Sequence, residues 1–414
     1  MKKILLTFAA MLSFSATTLA QSITILENQV VVEDGYEYEV GKMALAISPD
    51  SKYVCGSTDS YQGFIINWKD NDTKYLEPEE GCELRSVSNT GVAAGYDGSC
   101  AITFDVDGTK TVLSDTGMAN AITSDGTLVV GNLLENSWYQ KACYWKNGEL
   151  TMLPEPTAEE VGFNVNGAAA YYVSADGSVI VGYVVDDMSS YPAVAWILGE
   201  DGTYTVNPIC KGYFTADMED ETIPYVEFRP SGVSADGKYV ALSVRTTGYC
   251  SNMGRYNLET NTLEVADFEL NYMLNFTTSG IANDGTMVGY CEDWSEGLMY
   301  GFIWKAGEAS YAKLSSEYPD FTNLAAYDTA GHIPTFISPD GNYIVGWGYN
   351  PETYYCESYV LDRNLATGIN TVSDNKEVKE VARYTIDGAK ISTPTKGLNI
   401  VKMSDGTTKK VIVK

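Results

Sequence analysis

Five stretches of the chain hold the side chains best suited to gripping a ligand: LLENSWYQK (133–141), VVDDMSSYP (184–192), RTTGYCSNM (245–253), CEDWSEGLMY (291–300) and GWGYNPETYYCES (346–358). The first three supply Trp138, Tyr139, Asp186, Asp187, Tyr191 and Tyr249. The last two supply Asp293, Trp294, Glu296, Tyr300, Trp347, Tyr349 and Tyr354. Aromatic rings at a rim stack on sugars or anchor a partner's loop, and carboxylates bond hydroxyls or hold cations. The competing use of the same rings is to pack one loop on its neighbour. His332, in AGHIP, is the chain's one histidine. Beside a tyrosine it is a candidate acid and base for polysaccharide elimination; otherwise it is an ordinary loop residue.

Two placed carboxylates are enough for glycoside hydrolysis, but 55 Asp and Glu residues bring acids together by chance alone. No GxSxG elbow, HExxH helix or phosphate-binding loop is present. Clustered acids such as Asp217, Glu219, Asp220 and Glu221 can seat calcium, yet no stretch has EF-hand spacing, and DVDG (105–108) reads as a hairpin turn. No cofactor is expected, and calcium has no motif behind it.

A phrase that recurs seven times must position these loops. It reads ISPDSKYVCG at 47, VSNTGVAAG at 87, ITSDGTLVVG at 122, VSADGSVIVG at 173, VSADGKYVAL at 233, IANDGTMVG at 281 and ISPDGNYIVG at 337. A β-region residue, a polar Asx/Gly turn and an apolar run make a tight hairpin. A third apolar run follows each copy, ending at Trp68, Phe104, Trp145, Trp196, Tyr256, Trp304 and Leu361, and several are followed by a further turn and a fourth β-prone stretch. A four-stranded unit cannot bury both faces alone, so copies stack, and radial stacking gives a β-propeller. The expected fold is all-β: a seven-bladed β-propeller over residues 21–364, closed by an N-terminal strand, plus a small C-terminal β module. The seventh copy lacks a fourth strand, and residues 22–35 are expected to supply it. Hairpin turns inside the phrase share one face, so the phrase is expected to be scaffold and the variable loops of the other face to carry recognition.

Residues 1–20 have a Lys2-Lys3 n-region, an apolar stretch from Ile4 to about Phe14 and small residues before Gln21, as a signal peptide requires. Cleavage is expected after Ala20, with Gln21 rather than a lipid-carrying Cys directly after it and no further apolar run long enough to span a bilayer. The formal charge of −28 repels nucleic acid and anionic lipid. Residues 376–414 run the other way, with nine Lys or Arg against four Asp or Glu, which marks the tail as a separate unit after a linker at 365–378. Eight cysteines are sparse for a disulfide scaffold. Cys55 and Cys143 align with valines of other copies and read as small buried hydrophobes.

The SPDG or SADG turn with its apolar strand resembles TolB-type and WD-type propeller repeats, and the G.....AFIW.NG pattern is similar to the extracellular HAF repeat. The resemblance covers 22–364 and implies fold more than function. The Gly-His and Trp-Asp dipeptides of true WD repeats are missing, and His332 cannot stand in for their repeated histidine. Residues 379–414 resemble the C-terminal sorting domain of type IX secretion in Bacteroidetes. Tyr384, Gly388, Ile391, Lys396, Gly397, Ile400, Val401 and the final KKVIVK carry the match, with Ile386 for Leu and Asn399 for Tyr as departures. The resemblance implies a small β-sandwich, contact with the export machinery and either release or surface attachment. A basic β module without that role is the competing reading, and a tail that no longer directs export would leave the protein periplasmic. Three functions stay open: an exported or cell-surface propeller binding an extracellular glycan or protein, a glycan-degrading hydrolase or lyase on the same scaffold, and an outer-membrane assembly protein.

Overall fold

The structure is a computed structural model and describes residues 22–33, 35–77, 81–134, 139–161, 165–184, 192–209, 225–246, 251–267, 273–318, 332–350, 355–366, 380–385, 390–391, 393–403 and 408–413. The chain divides into two compact units, Met1–Ile369 and Asn370–Lys414. The leader and the 365–378 linker fall outside the described residues, apart from the linker's first two positions.

The first unit is all-β and has seven four-stranded antiparallel blades. Their first, inner strands are Lys42–Ile47, Cys82–Val87, Met118–Ile122, Ala168–Val173, Tyr225–Val233, Leu274–Ile281 and Ile333–Ile337. Each ends on the first residue of a repeated phrase. Six blades take their four strands in chain order. The seventh takes its outer strand from the other end of the chain: Ile23–Leu26 lies antiparallel to Cys356–Asp362, pairing Ile23 with Leu361 and Leu26 with Ser358. That closure is the one the missing fourth strand predicts. Residues 22–35 are not one strand, however. The chain breaks after Leu26, and Gln29–Glu33 turns back on Tyr36–Val40 as a separate two-stranded hairpin.

Blades are held together by side chains of the second and third strands, whose alternation fills the spaces between sheets. Trp145, Trp196 and Trp304, in the C-terminal halves of third strands, are fully buried. The indole of Trp196 donates to the Pro154 carbonyl at 2.8 Å, and that of Trp304 to Glu308 at 2.7 Å. Cys55 and Cys143 are buried as expected, and Cys82, Cys100, Cys291 and Cys356 are also free thiols. Burial pushes the Cys143 and Cys82 thiols up to about 12, which keeps them protonated and unreactive.

The repeated turn owes its sequence to hydrogen bonding. In five copies a Ser or Thr hydroxyl donates to the Asp two residues on, in the pairs Ser48–Asp50, Thr123–Asp125, Ser174–Asp176, Ser234–Asp236 and Ser338–Asp340. The same hydroxyl accepts the N–H five residues on, as Tyr53 N to Ser48 at 2.9 Å. The Thr123 hydroxyl and the Thr127 N–H hold the Asp125 carboxyl below its usual range. The next position has positive φ in all seven copies; six are Gly, and Ser51 at φ 60 is the exception.

The second unit is a single four-stranded sheet ordered Lys390–Ile391, Glu380–Thr385, Gly397–Met403, Thr408–Val413. Among the described residues it is one layer, where the sorting-domain resemblance implies a sandwich. Asn399, a departure from that pattern, is buried and donates to the Thr395 carbonyl at 2.7 Å.

Candidate functional site

Each inner strand carries a β-bulge at the same place, two residues before its phrase begins. The ladder skips Leu45, Arg85, Asn120 and Tyr171 in the first four blades, and Ser231, Ser279 and Thr335 in the last three. A bulge places two residues opposite one and re-aims the extra side chain. Here six of the seven extra residues, all but Ser231, line a cavity of about 360 Å³ along the propeller axis. Its wall continues outward through the phrase to turn residues such as Pro49, Ser124, Ala175 and Pro339. Sequence reasoning treats the phrase as scaffold; the structure also makes it the wall of the channel.

In six of the seven blades the phrase's closing glycine faces the bulge at close range. Gly56, Gly95, Gly131, Gly182, Gly289 and Gly346 each sit opposite the residue just before it, as Ala119 faces Gly131. A Cβ on Gly131 would lie 1.9 Å from the Met118 carbonyl oxygen. The fifth blade pairs Pro230 with Leu242 there and bulges all the same.

Chemistry is uneven around the ring. On one side, Arg85 Nε donates to Glu83 Oε1 at 2.6 Å and Nη1 to Asn120 Oδ1 at 2.7 Å, with its guanidinium 4.9 Å from the Tyr96 ring centroid. Asn120 Nδ2 in turn donates to Asn132 Oδ1 at 3.0 Å and to the Ala170 carbonyl at 2.8 Å. The Tyr171 and Tyr183 rings stack with centroids 5.0 Å apart and hydroxyls 3.0 Å apart. Burial pushes the neighbouring Tyr172 phenol up to about 12, so it stays neutral. The far side offers small hydroxyls: Thr335 Oγ1 donates to the Ala44 carbonyl at 2.7 Å. The channel wall as a whole thus combines one charge-balanced ion pair, an amide, phenols and flat apolar surface from Tyr171, Tyr172 and, on blade seven, Phe336.

Neighbouring turns are chained around the channel. Asn89 N donates to Ser124 O, Ser124 N to Ala175 O, Ala175 N to Ala235 O and Asn283 N to Pro339 O, at 2.9 to 3.0 Å. Asn89 and Asn283 side chains accept the N–H of Asp50 and Asp236 at 2.9 and 3.1 Å. At the junction of blades seven and one the corresponding residues are Pro339 and Pro49, which have no N–H to give. There Ser358 Oγ does the joining, accepting from Ala44 N and donating to the Lys42 carbonyl, both at 2.7 Å.

The loop residues named from sequence fare differently. Trp138, Asp186, Asp187, Tyr191, Tyr249 and Tyr354 lie outside the described residues. Trp294 is 59% exposed at the tip of its turn and Tyr349 is 40% exposed, edge-on to Trp347 at 5.8 Å. Glu296 is exposed beside Trp294. Asp293 is occupied in that turn, accepting from the Ser295 N–H and hydroxyl and from Glu296 N. Tyr139 donates to Glu155 Oε1 at 2.9 Å, and half-buried Tyr300 lies under the Lys313 ammonium, 3.9 Å from ring centroid to Nζ. His332 is 3% exposed, and neither ring nitrogen has a hydrogen-bond partner among the described residues. Burial lowers its pKa to about 4, so it is neutral at physiological pH. No group of His, Cys, Asp and Glu among the described residues is arranged to hold a metal. No described helix is long and apolar enough to cross a membrane.

No protein-family model matches the chain, and no curated protein matches it. Its likeness is to solved structures. Oligogalacturonate lyase from Vibrio parahaemolyticus aligns with TM-score 0.51 at 14% identity, over 82% of this chain and 97% of that one. A puromycin hydrolase mutant complexed with PGG aligns with TM-score 0.52 at 12% identity, over 87% of this chain and 58% of that one. A putative TolB from Agrobacterium tumefaciens aligns with TM-score 0.41 at 10% identity, over 67% of this chain and 82% of that one. At these identities the first two likenesses show the propeller fold and nothing of the chemistry.

Proposed function

We propose that this chain is an exported binding protein whose propeller holds an extracellular glycan, with a sugar end seated in the channel. The observation that carries the reading is the ring of bulges, which turns Arg85, Asn120 and Tyr171 into one cavity. A sugar presents hydroxyls that donate and accept together with apolar ring faces. The Glu83–Arg85 pair, the Asn120 amide and the Tyr171 phenol answer the first, and the flat sides of Tyr171, Tyr172 and Phe336 answer the second. Since Glu83 balances Arg85, a neutral sugar suits this sector better than an acidic one. The volume of about 360 Å³ lies at the low end of the roughly 300–1,000 Å³ usual for small-molecule sites. Glycoside hydrolysis by paired acids calls for two carboxylates; the described channel wall supplies Glu83, already held by Arg85. Export through the leader and sorting through the C-terminal sheet complete the proposal.

Titration calorimetry of the mature chain against neutral and uronate-containing oligosaccharides tests it. Binding of a neutral sugar should weaken about tenfold in Tyr171→Phe and Arg85→Lys, as loss of one hydrogen bond worth about 1.5 kcal/mol requires. A ligand indifferent to both changes but lost in Trp294→Ala would move the site to the rim. A stable protein partner with no glycan affinity would move the function to assembly.

A further inference from the structure

Five described residues other than glycine have positive φ. Three are Asn, whose short side chain tolerates the left-handed region, and Ser51 lies in a repeated turn that its N–H closes onto Ser48 O at 2.7 Å. The fifth is Tyr61, at φ 61. A bulky ring on such a backbone is an outlier. Elsewhere the chain puts glycine in the same turn, between a blade's second and third strands: Gly98 at φ 59 in blade two and Gly297 at φ 68 in blade six. The strained backbone is held from both sides. Tyr61 N donates to Thr58 O and Cys82 N, from blade two, to Tyr61 O, both at 2.9 Å, while Asp59 N donates to Gly41 O at 3.0 Å. The ring takes no part in this: Tyr61 is 69% exposed, and no hydrogen bond or ring contact among the described residues engages its side chain. A costly backbone that displays a ring to solvent points to a use for the ring.

Neighbouring blades repeat the display. Antiparallel blades built in the same order bring their second-to-third-strand turns to one face. Trp294, in that turn of blade six, is 59% exposed, and Tyr349, where that turn of blade seven begins, is 40% exposed. Blades six, seven and one are consecutive around the ring, so the three rings follow an arc. The chemistry between them says what they meet. Around the rings the described turn residues include Asp59, Ser60, Gln62, Ser295 and Glu296, with no Lys, Arg, Val, Leu, Ile or Met. Protein-binding surfaces are enriched in Met and Arg and depleted in Ser, Asp and Glu. Flat rings set among hydroxyls, amides and carboxylates suit instead the apolar faces and hydroxyls of sugars. Acids without a nearby cation disfavour a polyanion.

We propose that Tyr61, Tyr349 and Trp294 form an aromatic arc that stacks on the sugar rings of a neutral polysaccharide. The arc rests on the glycan reading above for the class of its ligand, and is a second contact apart from the channel.

Native electrophoresis of the mature chain through gels containing xyloglucan, galactomannan or polygalacturonate tests the arc. A neutral polymer should retard the protein and polygalacturonate should not. Tyr61→Asn should weaken the retention about fivefold, as loss of one stacked ring requires, without lowering the melting temperature, since Asn tolerates the left-handed backbone. Tyr61→Phe, which keeps the ring, should stay within about twofold of the wild type. Leu150→Ala, at a 46% exposed side chain on the outer strand of blade three, should change nothing. Retention indifferent to Tyr61→Asn, a lower melting temperature in that variant, retention by polygalacturonate alone, or no retention by either neutral polymer overturns the proposal. The channel is read separately, by calorimetry with short oligosaccharides. Polymer retention that needs Tyr61 while no short sugar binds refutes the channel and supports the arc; short sugars that need Tyr171, with retention indifferent to Tyr61, refute the arc alone.

Discussion

Burial of the chain's one histidine makes acid a selective stress. His332 is 3% exposed with no described hydrogen-bond partner, and its folded pKa of about 4 stands below the 6.5 of an exposed imidazole. The unfolded chain therefore takes up a proton first as pH falls, and the native state loses stability from about pH 6.5 downward until both forms are protonated below pH 4. Between pH 7.5 and pH 5 the two pKa values give a loss of about 2 kcal/mol from this residue, or roughly 3 °C in melting temperature for a unit of this size. Carboxylates begin to titrate in the same range, so the informative quantity is a difference. Urea unfolding of the wild type and of His332→Leu should give stability profiles that are parallel above pH 7 and diverge by about 2 kcal/mol at pH 5, with the wild type falling faster. A single imidazole resonance in the proton spectrum gives the folded pKa directly and does not depend on the variant folding. Superimposable profiles, or a resonance titrating near 6.5, would refute the argument that burial without a partner sets the charge state.

Two further outcomes follow from the bulges and the closure. Gly131→Ala sets a Cβ 1.9 Å from the Met118 carbonyl, so blade three must shift; a loss of about 2–3 kcal/mol in chemical denaturation is expected, with weakened ligand binding in the channel. Removing residues 22–26 strips Cys356–Asp362 of its outer partner and uncovers Val360 and Leu361, now 1% and 0% exposed, so thermal unfolding should begin at a lower temperature and lose its single sharp transition.

The seven blades were legible because hydrogen-bonding needs restrict the turn. A hydroxyl, an Asp and a positive-φ residue recur where the backbone demands them, and Gly126 or Gly237 cannot drift without strain. The channel chemistry was not legible, because a bulge is a backbone property that tolerates any side chain. Leu45, Arg85, Asn120, Tyr171, Ser231, Ser279 and Thr335 share a position and nothing else. The available signal was the phrase's last glycine, whose place in a strand rich in Val and Ile marks a close backbone approach. Among the loop residues, Asp293 stands for a general difficulty: composition shows an acid, but only coordinates show it already engaged by Ser295 and Glu296. The hairpin was misread as part of one long strand because the break at Glu27-Asn28 contains neither Gly nor Pro.

The proline junction between blades seven and one has a kinetic side. Six junctions join turns that are close in sequence, and each can form as soon as its two blades exist. The seventh waits for the whole chain, because Ser358 must reach Ala44 across 314 residues. Closing a loop of that length costs on the order of 5 kcal/mol of chain entropy before any contact there is made. Folding should therefore proceed by fast accretion of neighbouring blades to an open crescent, followed by a slow ring-closing step limited by contact order. The same junction, lacking the turn-to-turn bond carried by the others, is where an intact ring should first reopen.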